Sequence, residues 1–331
     1  MSVANLFKGK TILITGGTGT VGLGIAQALE AYKPKNIRLM TNDENSMDEA
    51  VQILGDKSNF DFFLGEMRDS KQLKHALEGV DIVFHTEALK HVYICEDNPF
   101  EAVYTNINGI VNLVDAVFES NVQKVIFTST DKAVNPTNMM GASKLVGEKL
   151  ITNANCKGKN KTIFSSVRFG NVLSSRGSVI PLFKKQIKNG EPVTITDHRM
   201  SRFIISLDEA VNLLFKATEV AIGGEIFVLK MESIRVIDIA EALGGKGTKT
   251  KIVGPRPGEK IYEDLMTEEE LMRTYDLGDM FVILPDNKAA RKFNYSKYHK
   301  FPSIKNIYSS RAQKPLSTKQ LRLLLEKEAM L

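Results

Sequence analysis

Seven residues, Gly16-Gly17-Thr18-Gly19-Thr20-Val21-Gly22, stand between a short apolar run, Thr11–Thr15, and residues 23–32, whose apolar positions recur at helical spacing. Glycines acquire meaning in this context of strand, turn and helix. They fit G-x-G-x-x-G from Gly17 and G-x-x-G-x-x-G from Gly16. One glycine permits the tight turn, one lets backbone N–H groups approach a pyrophosphate, and one lets helix and strand pack closely. The helix N-terminus adds unpaired N–H groups and partial positive charge. The chain is therefore expected to begin as a doubly wound α/β fold of Rossmann type. Gly16, Gly19, Thr20, Val21 and Gly22 are its candidate phosphate-binding residues.

The next strands follow at residues 36–40, 60–64 and 81–85. An acidic residue commonly ends the second strand of an NAD site, where it binds the ribose 2′-hydroxyl. Here Thr41 and Asn42 come first and Asp43 follows, so the pattern leaves NADP against NAD open. Asp43 and Glu44 read equally well as a helix cap. Glu66 and Met67 leave the third strand at a place that borders an adenine ring. His85 ends the fourth strand and reads as packed. Lys90 and His91 sit at a carboxyl edge, either reaching a ligand or as solvated loop charges. Residues 99–120 read as one long helix, in which Asn106 needs a buried partner and braces the neighbouring loop.

Residues 124–127 read as a buried parallel strand, followed by Thr130, Asp131 and Lys132. Ligands of open α/β sheets bind at such carboxyl ends. A hydroxyl, an acid and a base side by side there suggest proton transfer. The alternative is a surface Asp-Lys pair. Asn135-Pro136 turns the chain into a helix near Asn138.

From Arg168 the regular alternation breaks down. Residues 168–178 form a glycine-punctuated loop with Arg168 and Arg176, suited to an anionic ligand. Strands are expected at 193–196 and 225–229, and helices at 179–189, 206–222, 234–243 and 317–330. Pro255-Arg256-Pro257-Gly258-Glu259-Lys260 is a rigid turn. The reading is a dinucleotide-binding domain over residues 1–167. A smaller substrate lobe covers 168–331, with segments around 200–230 returning to the first domain.

The composition is that of a soluble globular chain, 43% hydrophobic and 25% charged over 331 residues, long enough for about two domains. A net charge of +5, spread among acids, gives no nucleic-acid motif. Two distant cysteines, Cys95 and Cys156, fit a reducing cytoplasmic setting. The five histidines form no ligand-spaced cluster, so no metal is expected. No signal peptide and no membrane-spanning run is seen.

These residues resemble the extended short-chain dehydrogenase/reductases, and within them the inverting UDP-N-acetylglucosamine 4,6-dehydratases of surface-polysaccharide and flagellin-glycan pathways. The resemblance covers residues 10–308. It rests on the glycine turn, Ala88-Leu89-Lys90-His91-Val92, Thr128 to Ala133 with Asn135-Pro136, Gly170-Asn171-Val172, Ser175 to Val179, Arg202-Phe203, residues 224–227 and Arg256 to Lys260. It implies transient oxidation of sugar C4 by NADP, with NAD possible. Loss of the C5 proton, departure of water from C6 and return of hydride to C6 follow. In that scheme Lys132 is the C5 base and needs a lowered pKa, supplied by burial and Lys144. Asp131 is the acid and Thr130 binds the C4 oxygen. Ala88, Lys90, Asn106 and Lys144 contact the coenzyme. Lys90, His91, Asn171, Ser178, Arg202, Arg256 and Glu259 contact the UDP-sugar.

The sequence departs from the superfamily in one important place. The usual Tyr-x-x-x-Lys pair appears as Met140 and Lys144. A thioether exchanges no proton, so Thr130, Asp131 or water must take the C4 proton. Glu87 also stands where a small residue is expected beside the coenzyme, and Asn42 where a basic residue is often seen. The competing functions are a UDP-sugar C4 or C5 epimerase and a catalytically silent dinucleotide-binding protein. Family members often form homo-oligomers, so one is expected here.

Overall fold

Thr11–Thr15 forms β1, buried along its whole length. Ile12 and Ile14 enter one hydrophobic core and Leu13 another, because successive residues of a strand face opposite sides. The continuous apolar run is thus that of a central strand covered on both faces. In this computed structural model residues 3–55, 57–157, 161–173, 175 and 177–331 are described. Arg176 lies outside them.

Five further parallel strands follow: β2 (Asn36–Thr41), β3 (Phe60–Leu64), β4 (Ile82–His85), β5 (Lys124–Thr130) and β6 (Ile163–Phe169). The chain then leaves for a smaller lobe through β7 (Asn171–Val172), β8 (Val193–Ile195) and β9 (Ser201–Ile205). It returns in β10 (Ile226–Leu229), departs in β11 (Glu232–Arg235) and β12 (Thr250–Ile252), and returns again in β13 (Thr274–Asp276) and β14 (Met280–Ile283).

The large sheet is ordered β13-β14-β10-β6-β5-β4-β1-β2-β3. It is parallel from β10 to β3, while β14 and β13 close its edge antiparallel. Strand order reverses between β1 and β4, and the loops leaving them diverge to open a crevice. The lobe carries the sheets β11-β9-β7 and β12-β8. Its own core includes Ile180, Phe183, Ile204 and Ile239, with Leu321 and Leu325 from the helix Thr318–Lys327.

Three segments differ from the sequence reading. Residues 99–120 are not one helix but Pro99–Val103, a wide π turn at Tyr104–Asn108, and Gly109–Phe118. The wide turn carries Asn106, whose amide is taken up by Leu89 and Ser143; such bulges often mark functional sites. The helix expected from residue 234 starts at Val236, because Glu232–Arg235 pairs with β9. Residues 263–279, to which the sequence reading assigns no element, contain the short helix Glu268–Leu271 and the edge strand β13, both too short for a period to register.

Candidate functional site

The glycine turn is shaped by close approach. Gly16 has φ +65°, and a Cβ on Gly22 would lie 2.4 Å from the Gly16 carbonyl oxygen. Gly19 caps the helix Thr20–Leu29 without any side-chain cap bond. The first residues of that helix carry the partial positive charge of its N-terminus. They open onto a cleft of about 730 Å³, lined by Gly16, Gly19, Thr20, Val21 and Gly22 at one end. The turn fits a pyrophosphate.

The end of β2 supplies Thr41 and Asp43 to the same cleft, but not Asn42. Asp43 also caps the helix Glu44–Leu54, accepting the Asn45 N–H at 3.1 Å. Glu66 and Met67 do not line the cleft. Met67 is fully buried and Glu66 pairs with Arg68 at 3.1 Å.

Across the cleft, β5 delivers Thr130 to its last position, and a short turn carries Asp131 and Lys132. Thr130 donates to Asp131 Oδ1 at 2.9 Å, and Lys132 Nζ donates to the same oxygen at 2.8 Å. Thr130 and Lys132 line the cleft; Asp131 is wholly buried behind them, with Oδ2 unpartnered. Burial alone would lower the Lys132 ammonium. Asp131, together with Glu263 at 4.0 Å, outweighs it and holds Lys132 above its usual value. This corrects the expectation of a lowered Lys132, since its nearest charges are carboxylates rather than Lys144.

Lys144 is lowered instead, brought down to about 7 by burial, with Glu148 one turn on pulling the other way. It lines the cleft, with Nζ 4.1 Å from the Phe127 ring centroid. Met140 also reaches the cleft and packs with Cys95 and Ala102. His85 is buried, its Nδ1 2.6 Å from Thr15 Oγ1, and burial with nearby Lys144 drops it to about 3, so it is neutral.

Ala88, Lys90, His91, Asn171 and Ser178 line the cleft. Asn106 does not; its Oδ1 accepts the Leu89 N–H at 2.8 Å and its Nδ2 donates to the Leu89 carbonyl and Ser143. Arg202 turns into the protein, donating to the carbonyls of Ser201, Ile261 and Lys260. Arg256 and Glu259 lie off the cleft in their turn, where Glu259 accepts the Arg256 N–H. That turn is nonetheless docked on the loop after β5. Thr137 and Asn138 donate to the Gly258 carbonyl, and Lys260 Nζ donates to that of Val134.

Sequence reasoning missed Glu263, which is 2% exposed and stands behind Lys132. Nothing in its local sequence marks it; the fold alone brings it there. It also passed over Ser129, which lines the cleft beside Thr130.

Residues 12–285 match the polysaccharide biosynthesis protein family. The chain is 47% identical to an uncharacterized membrane protein of Methanocaldococcus jannaschii, over 98% of this chain and 97% of that one. Among the described residues, no helix is long and apolar enough to cross a membrane. It is 43% identical to the inverting UDP-N-acetylglucosamine 4,6-dehydratase of Campylobacter jejuni, over 86% of this chain and 85% of the relative. It is 39% identical to the UDP-glucose 4-epimerase of Rickettsia canadensis, over 97% and 96%. The solved structure of Pen from Bacillus thuringiensis superposes with a TM-score of 0.89 at 40% identity, covering 97% of this chain and 98% of that one.

Proposed function

The chain belongs to the polysaccharide biosynthesis protein family, and from that premise we propose that it is a UDP-N-acetylglucosamine 4,6-dehydratase that inverts C5. A nicotinamide dinucleotide held on the glycine turn would supply a hydride acceptor for sugar C4 and a hydride donor for C6. Thr41 and Asp43 line the cleft at the end of β2, while its lining lysines, Lys90, Lys132 and Lys144, follow β4 and β5. An acid at the end of β2 suits a free 2′-hydroxyl, which favours NAD over NADP.

The Thr130–Asp131–Lys132 chain of hydrogen bonds carries this reading. Thr130 takes the C4 hydroxyl proton and passes its own to Asp131. Met140 takes no part. Neutralising Asp131 removes the nearer charge that keeps Lys132 protonated. Lys132, with 22% of its side chain exposed, then sheds its proton to solvent and becomes the base for C5. Asp131 returns its new proton by way of Thr130, whose hydroxyl proton passes to the C6 hydroxyl, which leaves as water. A solvent proton delivered to the opposite face of C5 inverts that centre. Protons balance, and the Asp131 carboxylate and Lys132 ammonium are restored. The base is thus released only after C4 is oxidised.

Asn171 and Ser178 would meet the nucleotide-sugar, while Arg202, Arg256 and Glu259 would act on it only indirectly, since none of the three lines the cleft. Exposed Phe100 and Tyr104 favour self-association as a homo-oligomer. Epimerisation is the second reading, favoured by the relatives named UDP-glucose 4-epimerase, although a C4 epimerase needs no C5 base. Incubation with UDP-N-acetylglucosamine, followed by mass spectrometry in H2O and D2O, tests the two. Loss of one water with deuterium at C5 supports dehydration. A stereoisomer of unchanged mass overturns it.

A further inference from the structure

Glu87 is the acid that stands where a small residue was expected beside the coenzyme. It follows β4, and its neighbours Thr86 and Ala88 both line the cleft. It packs directly on the glycine turn: a Cβ on Gly16 would lie 2.8 Å from the Glu87 Cα and N atoms. Its carboxyl accepts the Gly16 N–H. Oε2 is buried without a hydrogen-bond partner.

The charges facing it are Glu66 and Arg68, from the segment after β3. Arg68 is already shared between Glu66 at 3.1 Å and Glu101 at 2.5 Å. Burial first, and then Glu66, raise the Glu87 carboxyl to about 7, against the Gly16 N–H and Arg68. A second carboxylate oxygen left unpaired in such a place is costly. The same oxygen carrying a proton is a donor in need of an acceptor.

We propose that Glu87, which does not itself line the cleft, is a positioning residue of the dinucleotide subsite: it stands behind the glycine turn, against Gly16, as a neutral carboxylic acid whenever the phosphates are bound. The inference rests on reading the cleft as a dinucleotide site. Two phosphate charges brought to the glycine turn repel an ionised Glu87, so binding above neutral pH takes up a proton. His85 stays neutral throughout. Lys144 also titrates near neutrality in this cleft, so the signal is the difference between wild type and Glu87→Gln.

Calorimetric titration of the intact protein with NAD, in two buffers of different ionisation enthalpy, counts the protons. Near pH 8 the wild type is expected to take up close to one proton more per site than E87Q. Its dissociation constant should rise by up to about tenfold for each pH unit above 7, where E87Q is flatter by that slope. Infrared difference spectra of the wild type alone should show a carboxylic-acid carbonyl band on adding NAD at pH 8, whether or not the variant folds. Equal proton uptake by both proteins, or no such band, overturns the proposal. If the wild type binds neither NAD nor NADP, the dinucleotide reading falls first and this one with it.

Discussion

Lys132 Nζ lies 2.8 Å from Asp131 Oδ1 and 4.0 Å from Glu263 Oε1. Two buried carboxylates thus hold one partly exposed ammonium at the wall of the cleft. Such a lysine is a poor base until one carboxylate is neutralised. Lys132→Ala should lower dehydration by roughly 10²–10⁴-fold while leaving C4 oxidation intact. Absorbance of reduced dinucleotide on mixing with UDP-N-acetylglucosamine should therefore appear and persist. A variant that dehydrates at the wild-type rate would exclude Lys132 as the base.

Thr130 and Met140 both border the cleft, but only Thr130 is wired to Asp131, at 2.9 Å. Thr130→Val removes that relay and should cut turnover by about 100-fold. Met140→Leu keeps the volume and should stay within a few-fold of wild type, since the thioether moves no proton. Steady-state rates of the two variants, measured side by side, check this. A large loss in M140L with little in T130V would reverse the assignment.

The glycine turn and the Thr130–Lys132 stretch were readable because each is local: a few adjacent residues at the end of an apolar strand. The partners of those residues were not. Glu263 comes 131 positions after Lys132 in the chain and meets it only through the lobe's return to the main sheet. Arg202 and Arg256 matched a motif, yet Arg202 is spent on backbone carbonyls, which no spacing reveals. The π turn at Asn106 escaped because periodicity cannot register one extra residue in a helix.

Lys144 gives a pH dependence whose sign follows from its burial. Its folded value is about 7 against an ordinary 10.5. Between those values the unfolded chain binds a proton that the folded chain does not, so stability rises with pH across that window. Lys144→Met should abolish this rise. Urea midpoints of both proteins at pH 7, 8 and 9 measure it, and parallel curves would contradict the lowered value.

Asn106 holds the loop after β4 through both the N–H and the carbonyl of Leu89. Asn106→Ala leaves these groups and Ser143 with a partner missing, at a cost of about 2–4 kcal/mol. The loop it frees carries Lys90 and His91, so substrate and dinucleotide affinity should fall more than the catalytic rate. Denaturant unfolding and saturation kinetics separate the two effects.

Arg168 is 1% exposed and pairs with Glu148 and Glu270, bonding each through short contacts of 2.7–2.8 Å. Glu148 sits one turn beyond Lys144 on the helix Met139–Ala154. Arg168→Met would strand two buried carboxylates and destabilise the fold by about 3–5 kcal/mol. It would also leave the Glu148 charge uncompensated, which pulls the Lys144 value upward. The pH at which the Lys144-dependent stability change begins should move up in whatever R168M folds. A double variant that also carries Glu148→Gln should bring it back. Without that shift, the Arg168 ion pairs stabilise the fold and do nothing for the site.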